Sequence, residues 1–544
     1  MSPSPALRQG GGSNPYDAVV IGAGHNGLVC ACYLAAKGMR VVVVERRNVV
    51  GGAAVTEEFH PGFRNSTAAY TVSLLNPRVI RDLRLAEHGL RVVERPFANF
   101  LPLLDGNFIR VGGGLEATQR EVARFSARDA ERLPEYYRRL ETVAGVLRGL
   151  LLETPPNVGG GWPELFHAWK AARPLNSLPM ESKRDVLDLF TLCAGDWLDR
   201  WFESAPIKAA FGFDSVVGNF ASPYSAGSAY VLLHHVFGEV NGKSGTWGHA
   251  IGGMGAITQA MRREAEARGV EIRTGKGVAR IAARDGRVTG VVLESGEEVA
   301  ARCVVSNAHP QALLGLLAEH GDGDWRGAFA AYQSESATFR MNVALSELPD
   351  FTALPGKDAQ PHHSSGIILA PSLAFMDRAY SSAREEGWSR EPIVEMLIPS
   401  TVDYSLAPKG AHVASLFCQH FRYALPNGRS WDDERDKAAH AIIDHVTRFA
   451  PNFKRSVIAR RVLSPLDLER EFGLIGGDIF HGKLTLNQLF SARPVLGYSD
   501  YRMPLGNLYL CGSGAHPGGG VTGAPGFNAA REILRDRRRG RLGR

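Results

Sequence analysis

Disulfide chemistry is the first thing this sequence lacks. Its six cysteines (Cys30, Cys32, Cys193, Cys303, Cys418, Cys511) are scattered through 544 residues, with no Cys-x-x-Cys pair and no framework spacing. That excludes a stapled scaffold, a cysteine metal site and a redox disulfide, and it suits a reducing compartment. Long hydrophobic runs are missing too. The nearest, residues 211–237, is interrupted by Asp214, Asn219 and Pro223, so it reads as core or cavity lining rather than a membrane span. The opening MSPSPALRQGGGSNP has neither the apolar nor the Arg-rich pattern of a targeting segment, and residues 1–14 read as a flexible leader. Excess charge is scarce outside the tail. Of the formal +6, the last fourteen residues carry +5, from seven Arg against two acids. The body is near neutral, so no nucleic-acid footprint is expected. The tail reads as the solvated end of a terminal helix in a cytoplasmic protein, with peripheral contact to an anionic membrane as the alternative.

Metal ligands at useful spacing are also wanting. His234-His235 and His362-His363 are adjacent pairs without a third ligand, and read as packing or surface histidines. Lys243 and Lys483 sit in glycine-flanked loops and read as solvated.

Glycine is what the chain has in quantity, 61 residues. After the leader, YDAVVIGAG reads as a buried strand, HNGLVCACYLAAKG as a helix and MRVVVVE as a second strand, a βαβ opening of mononucleotide-binding length. A hairpin follows at FANFLPLL-DGN-FIRVGG, then a helical pattern to Phe237 with Ser126 as an N-cap. Beyond a glycine-rich joint, three short strands separated by DG and SG turns form a meander. Residues 335–490 alternate strands with a helix around an antiparallel sheet, and NLYLCGSG returns as a last strand. The fold class is therefore α/β, α+β overall. It combines a discontinuous Rossmann-type nucleotide domain (15–114, 245–330 and 491–544) with a substrate domain of sheet and capping helices (115–244 and 331–490).

Two glycine-rich turns carry the chemistry. Gly22-Ala23-Gly24-His25-Asn26-Gly27 is a G-x-G-x-x-G between strand and helix: the first glycine for the tight turn, the second for backbone approach to a pyrophosphate, the third for close helix packing. Glu45 stands eighteen residues past Gly27, where an acid binds ribose hydroxyls; a surface carboxylate or a pair with Arg46 is the plainer reading. Gly51-Gly52 stands six residues after Glu45, within reach of the same pyrophosphate. These features fit NAD or FAD equally. The second turn is GSGAHPGGGVTGAPGFNAA, residues 512–530, with seven glycines in nineteen positions. Read with the first, it is the other jaw of one site. A helix starting near Val521 would aim its N–H groups into that site and favour negative charge there.

The ordered set YDAVVIGAGHNG, ERRNVVGGAAVTEE, GGMGAITQAM, CVVSNAHP and LYLCGSGAHPGGGVTG resembles the phytoene desaturase-type flavoproteins over nearly the whole chain. The resemblance implies a glutathione reductase-like FAD domain. Gly22, Gly24 and Gly27 would meet the FAD pyrophosphate, with Ala23 and Asn26 of the same turn among the cofactor-binding residues, and Glu45 the ribose. Arg46 and the Gly52-Ala53-Ala54 turn would run along the pyrophosphate and ribityl chain, and Val278 would meet the adenine. Gly512, Gly520, Val521 and Thr522 would approach the flavin. Two positions depart from relatives: Ser513 stands where many carry an acid, and Ala53 where amine oxidases carry Arg. No cysteine pair is there to take electrons, and one fingerprint leaves no second NAD(P)H site.

The resemblance implies a small lipophilic substrate over the flavin, with oxygen or a quinone as acceptor. Residues 211–237 and SARPVLGY (491–498) are candidates for the cavity lining, with plain core packing as the alternative. No catalytic residue is assigned; His516 reads as a structural histidine of the glycine loop rather than a proton carrier. An amine-oxidase-like enzyme and a flavoprotein scaffold with little turnover stay open, as does a homo-oligomer.

Overall fold

The computed structural model describes residues 16–158, 160–318, 320, 323–356 and 358–542; the leader 1–14 lies outside them. In chain order, β1 (Tyr16–Ile21), α1 (His25–Ala35) and β2 (Val41–Val44) form the βαβ opening. The hairpin β3 (Asn99–Pro102) and β4 (Phe108–Val111) precedes a helical stretch that includes α2 (Ala127–Leu150), α3 (Trp162–Asn176) and α4 (Met180–Thr191). Strands β5 (Glu271–Arg273), β6 (Val278–Arg284), β7 (Arg287–Leu293) and β8 (Glu298–Ser306) follow. Then come β9 (Thr338–Leu345), β10 (Gly366–Leu369), β11 (Trp388–Leu397), β12 (His412–Phe421), α5 (Trp431–Phe449) and β13 (Val457–Leu463). The chain closes with β14 (Leu508–Leu510) and α6 (Ala524–Arg538).

The first sheet runs β5-β2-β1-β8-β7-β6, with β14 added beside β8. Strand β8 does two jobs along its length. Its first half pairs antiparallel with β7, closing the meander, and its second half lies parallel between β1 and β14. The strands that enter the parallel layer read VVI, VVVV and CVVS, continuous apolar runs suited to burial on both faces. Three distant segments thus share one sheet, and the two glycine-rich turns leave it side by side.

The second sheet runs β13-β9-β12-β11-β10-β3-β4, antiparallel except where β10 meets β3 in parallel, Gly366 against Asn99. The hairpin read with segment 15–114 therefore belongs to this sheet. The strands alternate between two cores: on β12, Phe417 faces the helical cap, while Leu416 and Cys418 face α5. In the cap, Ser126 caps α2 as its sequence suggests, its hydroxyl accepting from the Asp129 N–H at 3.1 Å.

Asp403 clasps the joint to the second sheet. Its carboxylate accepts from His249 Nε2 (3.0 Å), the Gly252 N–H (2.6 Å) and the Ser405 hydroxyl (2.6 Å). Burial alone would raise this carboxyl, but the bonds from His249, Ser405 and the backbone outweigh it and hold it well below the usual range. A depressed acid stabilises the fold above its unfolded pKa and loses that contribution as pH falls. Asp403→Asn is therefore expected to cost about 1–3 kcal/mol at neutral pH. The gap from wild type should shrink below about pH 4, the ordinary Asp value. Denaturant melts across pH check both parts.

Candidate functional site

A single cavity of about 430 Å³ runs between the two glycine turns and on beneath the second sheet. Its geometry begins at β1. Gly22 donates its N–H to the Val44 carbonyl (2.8 Å) with φ at +93°, which turns the chain sharply into α1. The Gly51 N–H reaches the Ala23 carbonyl at 2.8 Å, so the second glycine pair is hydrogen-bonded to the first turn. Glu45 is buried between them. Its Oε2 accepts from the Ala23 N–H at 2.8 Å and its Oε1 from the Arg47 N–H at 2.9 Å, leaving further lone pairs toward the cavity. Neither plainer reading of Glu45 describes it: it is no surface group, and Arg46 instead donates to the Glu471 carbonyl at 3.0 Å. The Lys276 N–H on the Glu45 carbonyl (2.7 Å) seats Val278 at the same end.

Eleven of the fifteen residues singled out from sequence line this cavity: Gly22, Gly24, Asn26, Glu45, Arg46, Gly52, Ala53, Ala54, Val278, Gly520 and Val521. The other four stand one layer back. The Ala23 backbone holds Glu45 and Gly51, and Gly27 packs on the Gly22 carbonyl. Gly512 lies so close to Asn307 that a Cβ would fall 2.7 Å from its carbonyl oxygen. The Thr522 hydroxyl caps the Ala524 N–H at 3.1 Å. The last helix begins at Ala524, with Gly523 at φ +73° before it, three residues beyond the expected start at Val521. The left-handed Gly523 interrupts helical backbone just after Val521, and Pro525 in the first turn suits the later start.

The lining expected from 211–237 contributes Val217 alone; Phe211, Phe213, Val216 and their neighbours pack in the cap core. SARPVLGY does not line the cavity either. Its Arg493 is buried behind the wall, donating to the carbonyls of Ser513 (2.8 Å) and Phe480 (2.7 Å). His516 is buried with Nε2 3.1 Å from the Leu150 carbonyl, as the structural reading has it, and burial lowers it to about 4. His362 and His363 are buried in the second sheet's loops, Lys243 is exposed and paired with Glu94, and Lys483 lies near Glu335.

Sequence reasoning missed two residues at the centre. Asn307 projects from the end of β8 across the first glycine turn, its Nδ2 3.4 Å from the Gly22 carbonyl. A Cβ on Gly24 would come within 2.7 Å of that nitrogen. Its only signal is the motif CVVSNAHP. His25 lies at the start of α1, buried against the Gly520 backbone and lowered to about 4 by burial.

These features accept a flavin dinucleotide. Glycines stand where a Cβ would collide, and Glu45 waits at one end. Buried along the same turns, His25 Nε2, Asn26 Oδ1 and Arg47 Nη1 have no hydrogen-bond partner among the described residues. Orphaned polar atoms of this kind call for a polar ligand or ordered water.

Residues 27–325, more than half of the chain, match the family model described as flavin containing amine oxidoreductase. The "Pyridine nucleotide-disulfide oxidoreductase domain-containing protein 2" of Rattus norvegicus is 42% identical over 96% of this chain and 94% of its own. A "Phytoene desaturase (lycopene-forming)" of Pseudescherichia vulneris is 26% identical over 93% and 96%. Among solved structures, a putrescine oxidase double mutant superposes with a TM-score of 0.60 at 15% identity, covering 96% of this chain and 99% of that one, which bears on the fold alone. The resemblance read from five motifs holds over nearly the whole length. The chain is an FAD-dependent oxidoreductase and belongs to the flavin-containing amine oxidoreductase family.

Proposed function

We propose that this oxidoreductase dehydrogenates an apolar, polyene- or lipid-like substrate, with oxygen or a quinone as the acceptor of the electrons. One observation carries the reading: beyond the glycine turns the cavity is walled by Leu74, Val217, Trp247, Phe417, Ile479 and Phe480. An apolar wall of this kind selects by shape and exclusion of water rather than by charge. Gly22, Gly24 and the Gly51-Gly52 turn would hold the pyrophosphate of FAD, Glu45 the ribose hydroxyls, and Gly520 and Val521 the flavin side. Bound there, the flavin supplies the hydride acceptor.

The remaining work belongs to the protein. Three histidines line the cavity, His309 buried and His25 and His481 half-buried, and all are held in the neutral form. Burial lowers His25 to about 4 and His481 to about 3, and holds His309 well below its usual value. His309 Nδ1 accepts from the Gln311 N–H, so its Nε2 donates to the Ser334 hydroxyl at 2.8 Å; it is tied to the wall. The rate of flavin reduction by an apolar substrate is therefore expected to stay flat between about pH 6 and 8, since no histidine of the wall titrates there. Stopped-flow traces across that range check it, and a sigmoid centred near neutrality would put a titrating protein base back into the reaction.

The amine-oxidase alternative wants an aromatic cage and a lysine beside the flavin. Among the described residues Lys276 is the one lysine lining the cavity, and it lies at the Glu45 end. Anaerobic mixing with phytoene, a shorter terpene and putrescine separates the readings. Bleaching of the flavin by the hydrocarbons supports the proposal. Bleaching by the amine alone, or by none, overturns it.

A further inference from the structure

Helix α3 is built inside out. On a helical wheel Trp162, Leu165, Phe166, Trp169 and Arg173 fall on one stripe, the last four standing three, four, seven and eleven residues after Trp162. On a surface helix such a stripe faces the core. Here it faces water: Trp162 is 85% exposed, Phe166 67%, Trp169 62% and Leu165 61%. The opposite side, with Glu164, His167, Ala168, Ala171 and Leu175, is the half-buried one. Phe166 and Trp169 stack on each other, ring centroids 5.7 Å apart, rather than on the body of the protein. The next helix, α4, leaves Met180 and Leu187 just as exposed. Isolated exposed apolar residues are ordinary; a ridge with two tryptophans and a phenylalanine marks a contact surface.

Charge says what the contact is. Arg173 ends the apolar stripe and Lys170 flanks it, and both are exposed. The one carboxylate on α3, Glu164, is on the far side, where it accepts from the Asn157 N–H at 2.8 Å. On α4, Glu181 is tied to Arg139 at 2.8 Å, while Arg184 stays exposed. A second copy of this chain would bring the same cations to the ridge and no free acid to meet them. An anionic bilayer meets both halves: aromatic rings at headgroup depth, and cations against lipid phosphates.

We propose that α3 is an interfacial anchor that docks this oxidoreductase on the surface of an anionic lipid bilayer, with Trp162, Leu165, Phe166 and Trp169 inserted and Lys170 and Arg173 at the headgroups. Among the described residues no helix is long and apolar enough to cross a membrane, so the contact is one of lying on the surface. The test uses no turnover and is separate from the substrate reading. Full-length holoprotein is sedimented with phosphatidylcholine vesicles, with and without phosphatidylglycerol. Binding to the anionic vesicles is expected to be roughly tenfold tighter, and to weaken with added salt. Trp162→Ser/Phe166→Ser/Trp169→Ser should lose at least about tenfold in vesicle affinity, since three inserted rings are removed. Lys170→Glu/Arg173→Glu should erase the preference for phosphatidylglycerol. All these side chains are exposed, so flavin content and melting temperature should match wild type and certify the fold. The proposal is overturned by a wild type that ignores both vesicles, or by a triple variant that binds as well as wild type. It is equally overturned if the triple variant alters only the mass in solution, which would make the ridge a contact between copies.

Discussion

Gly27→Ala is expected to yield a protein that has lost most of its flavin and melts well below wild type. The added methyl would sit 2.2 Å from the Gly22 carbonyl oxygen and 3.3 Å from the Asn307 Cβ. Neither neighbour can step aside. Gly22 is fixed by its bond to Val44, on a strand held between β2 and β8, and Asn307 is anchored by its N–H on the Ile21 carbonyl at 2.9 Å. Overpacking of this sort costs about 1–3 kcal/mol when the core can shift; here α1 must lift from β1. Because the lifted turn is the one that faces the cofactor, flavin retention and stability fall together, about tenfold in affinity for each 1.4 kcal/mol transferred to the bound state. Gly149→Ala is the control. It stands exposed on α2 with nothing within 4 Å of its would-be Cβ, and should gain about 0.5–1 kcal/mol. Flavin absorbance per protein and thermal melts read both. A Gly27→Ala protein with full flavin and an unchanged melting temperature would refute the close-packing account.

That contrast shows what a sequence carries and what it does not. The turn at Gly22 to Gly27, the acid at Glu45, the meander and the Ser126 cap were readable because each is set by chemistry within a few residues. The hairpin β3-β4 was readable as a hairpin for the same reason, but not its sheet. Nothing local to Asn99 foretells a parallel partner at Gly366, more than two hundred and fifty residues on. Asn307 is the same case at the site: its amide reaches Gly22 across 285 positions. A polar residue after an apolar strand reads as a strand end, and only the sheet order turns it into the floor of the glycine turn. The onset of α6 was misplaced for a different reason. Gly-Val-Thr-Gly carries no strong side-chain cap, and the local marks of the later start are the left-handed Gly523 and Pro525 in the first turn. Residues 211–237 were apolar enough to line a cavity, and periodicity alone could not separate that from the cap core where most of them lie.

Arg493 is the largest test of how the second jaw is held. Its guanidinium, fully buried, donates to the carbonyls of Ser513, Phe480, His481, Gly482 and Gln488 at 2.7 to 3.4 Å. Ser513 lies on the second glycine turn and Phe480 on the cavity wall, so one side chain ties the two together. The nearby buried acid is Asp478, which burial pushes up to about 6 against the opposing pull of the Phe480 N–H and the Arg493 charge. Arg493→Met keeps an unbranched apolar stem, shorter than that of Arg, and removes every donor. It leaves five carbonyls to find new partners and a buried carboxylate without its countercharge, which is expected to cost about 3–5 kcal/mol. Arg493→Lys, a point charge with three donors, should fall between the two. The pH dependence follows from the sign of the Asp478 shift. A carboxyl raised on folding weakens the fold as pH climbs from its unfolded value near about 4 to its folded value, and levels off above it. Losing Arg493 raises that folded value further, so the deficit of the Met variant should be widest at neutral pH and narrow toward about pH 4, where Asp478 is neutral in both proteins. Denaturant melts at a series of pH values, read alongside flavin content, decide it. A Met variant within about 0.5 kcal/mol of wild type, the ordinary scatter of surface changes, would mean that the loop from Phe480 to Arg493 holds its shape without the guanidinium.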